Sequence, residues 1–238
     1  MKKAIIIGAS SGIGKGLIKL LVDDGYKVGI TGRRIELLKD LKKTYNNSLI
    51  VKTFDVTDTK TSIEKLEELI SELGGLDLFI LSSGTGNLNE ILDFEIERKT
   101  IDLNVTGFTN IIDWTFNFFE KQEFGHLVAI SSVAGLRGHR SAPSYNATKA
   151  YQINYLEGLR QKSTNSKKPI FVTDIRPGLV DTDMAKGKGL FWVMPVEKVA
   201  KQIFKAIKNK RKVAYVTKRW GLIGRLLKIM PRFIYDRI

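Results

Sequence analysis

Short β-rich runs alternate with longer helical periods along the whole chain, and that alternation leaves few folds open. Strands are expected over residues 4–7, 27–31, 49–53, 78–81, 126–131, 170–175 and 213–217. Helices are expected over 12–24, 34–45, 58–73, 90–101 continuing through 119, 144–163 and 196–208. In the first helix Ile13, Leu17, Leu20 and Leu21 share one face, and Asp58 stands where it would cap the third. Strands separated by helices of this length require crossover connections. The fold class is therefore α/β, a doubly wound parallel sheet in three layers. No repeat or low-complexity linker divides it, so residues 1–218 read as one domain followed by a short tail, 219–238.

Composition narrows the chemistry. A chain of 238 residues with 43% hydrophobic and 27% charged residues is ordinary globular material, which excludes disordered and collagen-like classes. The absence of cysteine removes disulfides, thiol nucleophiles, thiolate metal sites and iron–sulfur clusters. His126 and His139 are the only histidines, and no metal is expected. The longest apolar stretch, 189–196, falls far short of the roughly 20 residues of a spanning helix, and the run after Lys2 and Lys3 is too short for a signal sequence. A cytoplasmic protein is expected.

The formal charge of +14 is unevenly placed. Residues 198–238 hold 13 basic side chains and one acidic, Asp236, while the remainder is nearly neutral. A basic tail on a neutral body suits either a local contact with an anionic surface or a solvated helix face. No recognised nucleic-acid module accompanies it, so no nucleic-acid partner is expected.

Gly8-Ala9-Ser10-Ser11-Gly12-Ile13-Gly14 follows the first strand and opens the first helix. In that setting glycines permit a tight turn and close backbone approach, and free N–H groups at the helix start suit a dinucleotide pyrophosphate. Further along stand Asn104 within Leu103-Asn104-Val105, Ser132 in a Ser-Ser-Val-Ala-Gly run, Tyr145-Asn146-Ala147-Thr148-Lys149, and Pro177-Gly178-Leu179-Val180-Asp181-Thr182. Ser132 precedes Tyr145 by 13 residues.

In this order and spacing the chain resembles the short-chain dehydrogenase/reductase family over about residues 3–217. The resemblance implies a Rossmann fold and a reversible carbonyl/alcohol hydride transfer with a nicotinamide cofactor. Ile7 stands where the family has threonine, and Leu81-Ser82-Ser83-Gly84 where it has Asn-Asn-Ala-Gly. By resemblance, Gly8, Ser10, Ser11, Gly12, Ile13, Gly14, Ser83, Gly84, Pro177, Gly178, Val180 and Thr182 line the cofactor site. Asp55 and Val56 resemble the family's adenine-contacting pair, with helix capping the alternative for Asp55. Lys149 would hold the nicotinamide ribose, and Asn104 would position a water linking Lys149 to solvent. The family's homodimers or homotetramers form through helices that fall here at about 104–120 and 144–163.

An acid at the end of the second strand holds a ribose 2′-hydroxyl, whereas arginine accommodates a 2′-phosphate. Here that position falls on Gly32, followed by Arg33 and Arg34, so NADP is expected over NAD. The alternative is that both arginines merely begin an exposed helix.

Tyr145 and Lys149, four apart, share a helix face. The ammonium beside the phenol and the positively charged oxidised nicotinamide are both expected to lower its pKa, making Tyr145 the proton donor and acceptor, while Ser132 hydrogen-bonds the reacting oxygen. A catalytically weak nucleotide sensor of the same fold is the alternative that an intact Ser132, Tyr145 and Lys149 argue against. His139 reads as a solvated loop residue rather than a second proton carrier, and His126 as structural.

By resemblance, the variable substrate loop spans 183–196. Its Met184, Phe191, Trp192 and Met194, with Gly187 and Gly189 as hinges, suit a flap over an apolar or aromatic small-molecule carbonyl or alcohol. Packing of Phe191 and Trp192 on a partner subunit is the alternative. In the tail, Trp220, Ile223, Leu227, Met230 and Ile234 fall on one helical face, Arg225, Lys228 and Arg232 lie roughly opposite, and Pro231 kinks the helix. Such a segment suits peripheral contact with an anionic membrane, or packing on the body or on a second subunit.

Overall fold

The computed structural model describes residues 1–185 and 191–237, with Lys218 and Arg225 described by their backbone only. Gly187 and Gly189, the expected hinges, lie outside the described residues. Seven strands form one parallel sheet: β1 (Lys2–Ile7), β2 (Tyr26–Gly32), β3 (Leu49–Thr53), β4 (Leu78–Leu81), β5 (Gly125–Ile130), β6 (Ile170–Pro177) and β7 (Val213–Val216). Their order in space is β3-β2-β1-β4-β5-β6-β7. The order reverses between β1 and β4, which pair from Ala4 with Leu78 to Ile7 with Leu81. The crevice beyond that pair is where such sheets take a ligand.

The helices are α1 (Gly12–Asp23), α2 (Ile35–Tyr45), α3 (Thr59–Leu73), α4 (Phe94–Ile101), α5 (Phe108–Gln122), α6 (Pro143–Ser166), α7 (Val196–Lys208), α8 (Lys218–Ile229) and α9 (Arg232–Tyr235). Strand side chains alternate between two cores. Ala4 and Ile6 meet Leu17, Leu21, Val199 and Ile203 of α1 and α7. Ile5 and Ile7 meet Leu66, Leu69, Ile111 and Phe116 of α3 and α5. Burial on both faces is why these strands read as continuous apolar runs. Asp58 caps α3 as expected, accepting from the Thr61 N–H at 3.0 Å.

Many element ends shift by one to three residues, and the largest departure lies around α4. The helix expected from 90 begins at Phe94, because the Asp93 carboxylate accepts from the Glu95 N–H at 2.8 Å and caps it there. Between α4 and α5 the chain widens into a π-helical turn, Asp102–Gly107, which carries Asn104.

Candidate active site

The first half of the site lies at the carboxyl ends of β1, β2 and β4. Gly8 and Gly12 take positive φ of 83° and 54°. A Cβ at Gly8 would lie 2.7 Å from the Ser83 nitrogen, so only glycine lets the turn pass that close to the segment after β4. Ser11 precedes α1 in extended conformation and gives no side-chain cap, leaving first-turn N–H groups for an anion. The Arg34 guanidinium donates to the hydroxyls of Ser10, at 2.9 Å, and Ser11, at 2.6 Å. Arg33 faces the Asp55 carboxylate at 3.5 Å. Burial pushes the Asp55 carboxyl up, but bonds from Thr57 and the Arg33 charge outweigh it and hold the group below its ordinary range. Asp55 thus bonds Thr57 in its own loop and does not cap α3. Thr182 approaches Gly12 from across the crevice, and Val56 and Val180 are buried nearby. Ile13 is half-buried against the core. The open glycine turn, the uncapped helix start and two arginines fit a dinucleotide.

The second half sits beyond β5. Ser132, two residues past the end of β5, is extended, and its Oγ accepts from the Ala134 N–H at 3.1 Å, which leaves its hydroxyl hydrogen free to donate. Tyr145 and Lys149 project from the same face of α6. The Lys149 Nζ lies 5.9 Å from the Tyr145 ring centre. Lys149 is only 4% exposed, and its ammonium donates to the Ile130 carbonyl at 3.1 Å and to Gln152 Oε1 at 2.9 Å. Burial pushes Lys149 down to about 8, against the opposing charge of Asp174.

The protein's own groups do not lower the Tyr145 phenol. Desolvation by the surrounding protein pushes its phenol up, and the hydrogen bond with Ser132 offsets this only in part. Burial wins because the ammonium that would favour a phenolate is itself desolvated and turned toward the Ile130 carbonyl and Gln152. Ser131 points away: its hydroxyl is bonded to the Asp174 carboxylate and, at 3.1 Å, to the Ile175 carbonyl.

Asn104 lies beside Lys149 at Gly84. Its side chain clamps Thr85, accepting from the N–H at 3.0 Å and donating to the carbonyl at 2.6 Å. Its main-chain carbonyl accepts from Gln152 Nε2 at 2.9 Å. Gly84 lies beside both Asn104 and Lys149, and a Cβ there would sit 3.4 Å from each polar group. Gln152 and Gly86, which sequence reasoning passed over, therefore belong to the site. The spacing of Gln152 places it one helical turn past Lys149, but its second partner, the Asn104 carbonyl, lies 48 residues away.

Pro177 ends β6, and the Gly178 that follows it packs beneath the Trp220 indole of α8, where a Cβ would overlap the ring. Trp220 also stacks on Phe191, centroids 5.5 Å apart. The tail thus buttresses both the end of β6 and the segment that carries Phe191. His139 is exposed, with Nδ1 accepting from the Ser141 N–H, and His126 is buried against Thr173.

The sequence model of the short chain dehydrogenase family matches residues 2–190. The chain belongs to the short-chain dehydrogenase/reductase family. An "uncharacterized oxidoreductase" of Myxococcus xanthus is 30% identical over 244 residues, covering 99% of this chain and 95% of that protein. A short chain dehydrogenase of Burkholderia cenocepacia, solved in complex with NADP, matches with a TM-score of 0.83 at 21% identity, over 100% of this chain and 98% of that one. A short chain dehydrogenase/reductase of Burkholderia phymatum, solved in complex with NAD, matches with a TM-score of 0.85 at 19% identity, over 94% and 92%. The family makes this short-chain dehydrogenase/reductase an NAD(P)-dependent oxidoreductase.

Proposed function

We propose that this protein reduces an apolar or aromatic carbonyl compound with NADPH. The observation that carries the reading is the convergence of the Tyr145 phenol and the Ser132 hydroxyl beside the buried Lys149 ammonium. The nicotinamide supplies the hydride. As hydride reaches the carbonyl carbon, the Tyr145 phenol gives its proton to the oxygen and Ser132 donates a hydrogen bond to the same atom. The product is the alcohol, and the Tyr145 phenolate recovers a proton from Lys149. A phenol that burial keeps protonated suits the reducing direction. The test is NADPH oxidation with generic diketones and quinones, wild type against Tyr145→Phe. Loss of turnover in the variant is expected, whereas NADPH binding without turnover in the wild type would favour a nucleotide sensor.

The NADP preference rests on Gly32, Arg33 and Arg34, since both NADP-bound and NAD-bound proteins are among the similar structures. Arg34, already on the Ser10 and Ser11 hydroxyls, suits a 2′-phosphate at that corner. The substrate reading rests on Met184, Phe191 and Trp192, which are exposed around the crevice. Bulky aromatic ketones should therefore turn over faster than short hydroxy acids.

Two contacts complete the proposal. In the tail, Trp220 is 8% exposed and Ile223, Leu227 and Met230 are half-buried on the body, but Ile234 is exposed, unlike its expected face. A second stripe, Leu222, Leu226, Ile229 (77%) and Phe233 (68%), faces outward beside Lys228 and Arg232. That combination suits peripheral contact with an anionic membrane; among the described residues no helix is long and apolar enough to cross one. Leu226→Glu with Phe233→Glu should abolish co-sedimentation with phosphatidylglycerol vesicles, and equal binding by the variant would eliminate the contact. On α5 and α6, half-buried Trp114, Phe118, Tyr151 and Tyr155 suit the face of a homodimer or homotetramer, which light scattering would count.

A further inference from the structure

We propose that Gln152 is a positioning residue for the reaction, its amide clamping the Lys149 ammonium to the main-chain carbonyl of Asn104. The inference rests on the reading of Tyr145, Ser132 and Lys149 given above. Gln152 is 1% exposed, and both ends of its amide are engaged: Oε1 accepts from Lys149 Nζ and Nε2 donates to the Asn104 carbonyl, each at 2.9 Å. The orientation of the amide is forced, because an ammonium can only donate and a carbonyl can only accept. Gln152 thus links Lys149 directly to the Asn104 main chain.

The clamp has mechanical and electrostatic consequences. Two of the three ammonium protons go to Ile130 and Gln152, which leaves one for the reacting side of the cleft. The far end is anchored in the π-helical turn Asp102–Gly107, itself tied through Asn104 to Thr85 and Thr148. An amide that holds its hydrogens cannot hand on a proton as water does, so Gln152 positions Lys149 without relaying protons to it. The other titratable groups facing Lys149 are Tyr145 on its own helix and Asp174 on β6, whose carboxylate is held by Arg176 at 2.7 Å. The α4–α5 turn and the segment after β4 present Asn104 and Gly84, which carry no charge.

Because Lys149 titrates near about 8, a change in its acceptors falls within a workable pH range. The experiment is the pH profile of NADPH-dependent diketone reduction for wild type, Gln152→Leu and Gln152→Glu. Gln152→Leu removes an acceptor from the ammonium, so the alkaline decline should move down by about one pH unit, with about fivefold less activity near the wild-type midpoint. Gln152→Glu sets a carboxylate against the ammonium, so the decline should move up. Opposite shifts are a signature that a packing role would not produce. Should Gln152→Leu fail to fold, Gln152→Met takes its place in the comparison. Unshifted profiles in variants that fold and bind NADPH normally would overturn the proposal. The site reading fails separately, if Tyr145→Phe reduces the diketone as well as wild type does.

Discussion

Gly86 has no chemistry of its own, yet its replacement by alanine should disable the site. A Cβ at Gly86 would lie 2.7 Å from Tyr145 Cγ and 2.9 Å from Cε2. Carbon atoms in contact sit at about 3.5–4.0 Å, so the ring or the backbone must retreat by about 1 Å. Neither side yields freely. Tyr145 belongs to the first turn of a 24-residue helix, and the segment carrying Gly86 is held through both main-chain bonds between Thr85 and Asn104. Displacing a reacting group by about 1 Å costs on the order of 100-fold in rate, or about 2.7 kcal/mol. Stability should suffer less, because Gly86 is half-buried at the cleft wall. The assay is kcat/KM for diketone reduction, paired with thermal melting. Gly158→Ala is the matched control: it adds the same methyl to α6 with nothing within 4 Å, and should leave turnover intact while stabilising the helix by roughly 1 kcal/mol. A Gly86→Ala enzyme within threefold of wild type would refute the steric argument.

Arg34→Ala should weaken NADPH binding by about 10- to 100-fold while leaving NADH nearly unchanged, because charge-assisted bonds to a 2′-phosphate are worth about 1.5–3 kcal/mol; fluorescence titration with both cofactors reads the ratio. His126 should make the fold acid-sensitive. Burial, aided by the Lys210 charge, pushes it down to about 4, below the ordinary histidine value. Thr173 gives its hydroxyl proton to the Arg211 carbonyl, so His126 Nε2–H donates to Thr173. As pH falls below about 6.5 the unfolded chain takes a proton that the folded chain refuses until about 4, a loss of about 3 kcal/mol across that window. Urea midpoints of His126→Gln should depend on pH less steeply than wild type between about pH 7 and 5.

What could be read from the sequence follows the range of the interactions. Gly8, Gly12 and Gly14 announce their turn because strand, turn and helix start are contiguous. Tyr145 and Lys149 announce a shared face because helical periodicity is local. Asp58 was legible as a cap for the same reason. Gln152 was not, since its meaning depends on the Asn104 carbonyl, 48 residues away and exposed to it only by a π-helical turn that no residue pattern signals. The tail was half legible. Its periodicity gave the face led by Trp220, but not that the indole would settle on Gly178 and Phe191 and leave Leu222, Leu226, Ile229 and Phe233 outward.

The Tyr145 phenol shows how burial competes with helical spacing. Helical spacing places an ammonium near the phenol, and in isolation that favours the phenolate. The same packing that brings the two together strips water from both, and desolvation is the leading influence on each group. Within the protein alone, burial favours the protonated Tyr145 phenol and loosens the Lys149 proton, which is the arrangement that the proposed proton donation to a nascent alkoxide requires. Spacing along a helix can name the partners in a catalytic pair; which partner keeps the proton is decided by how much water the rest of the fold excludes.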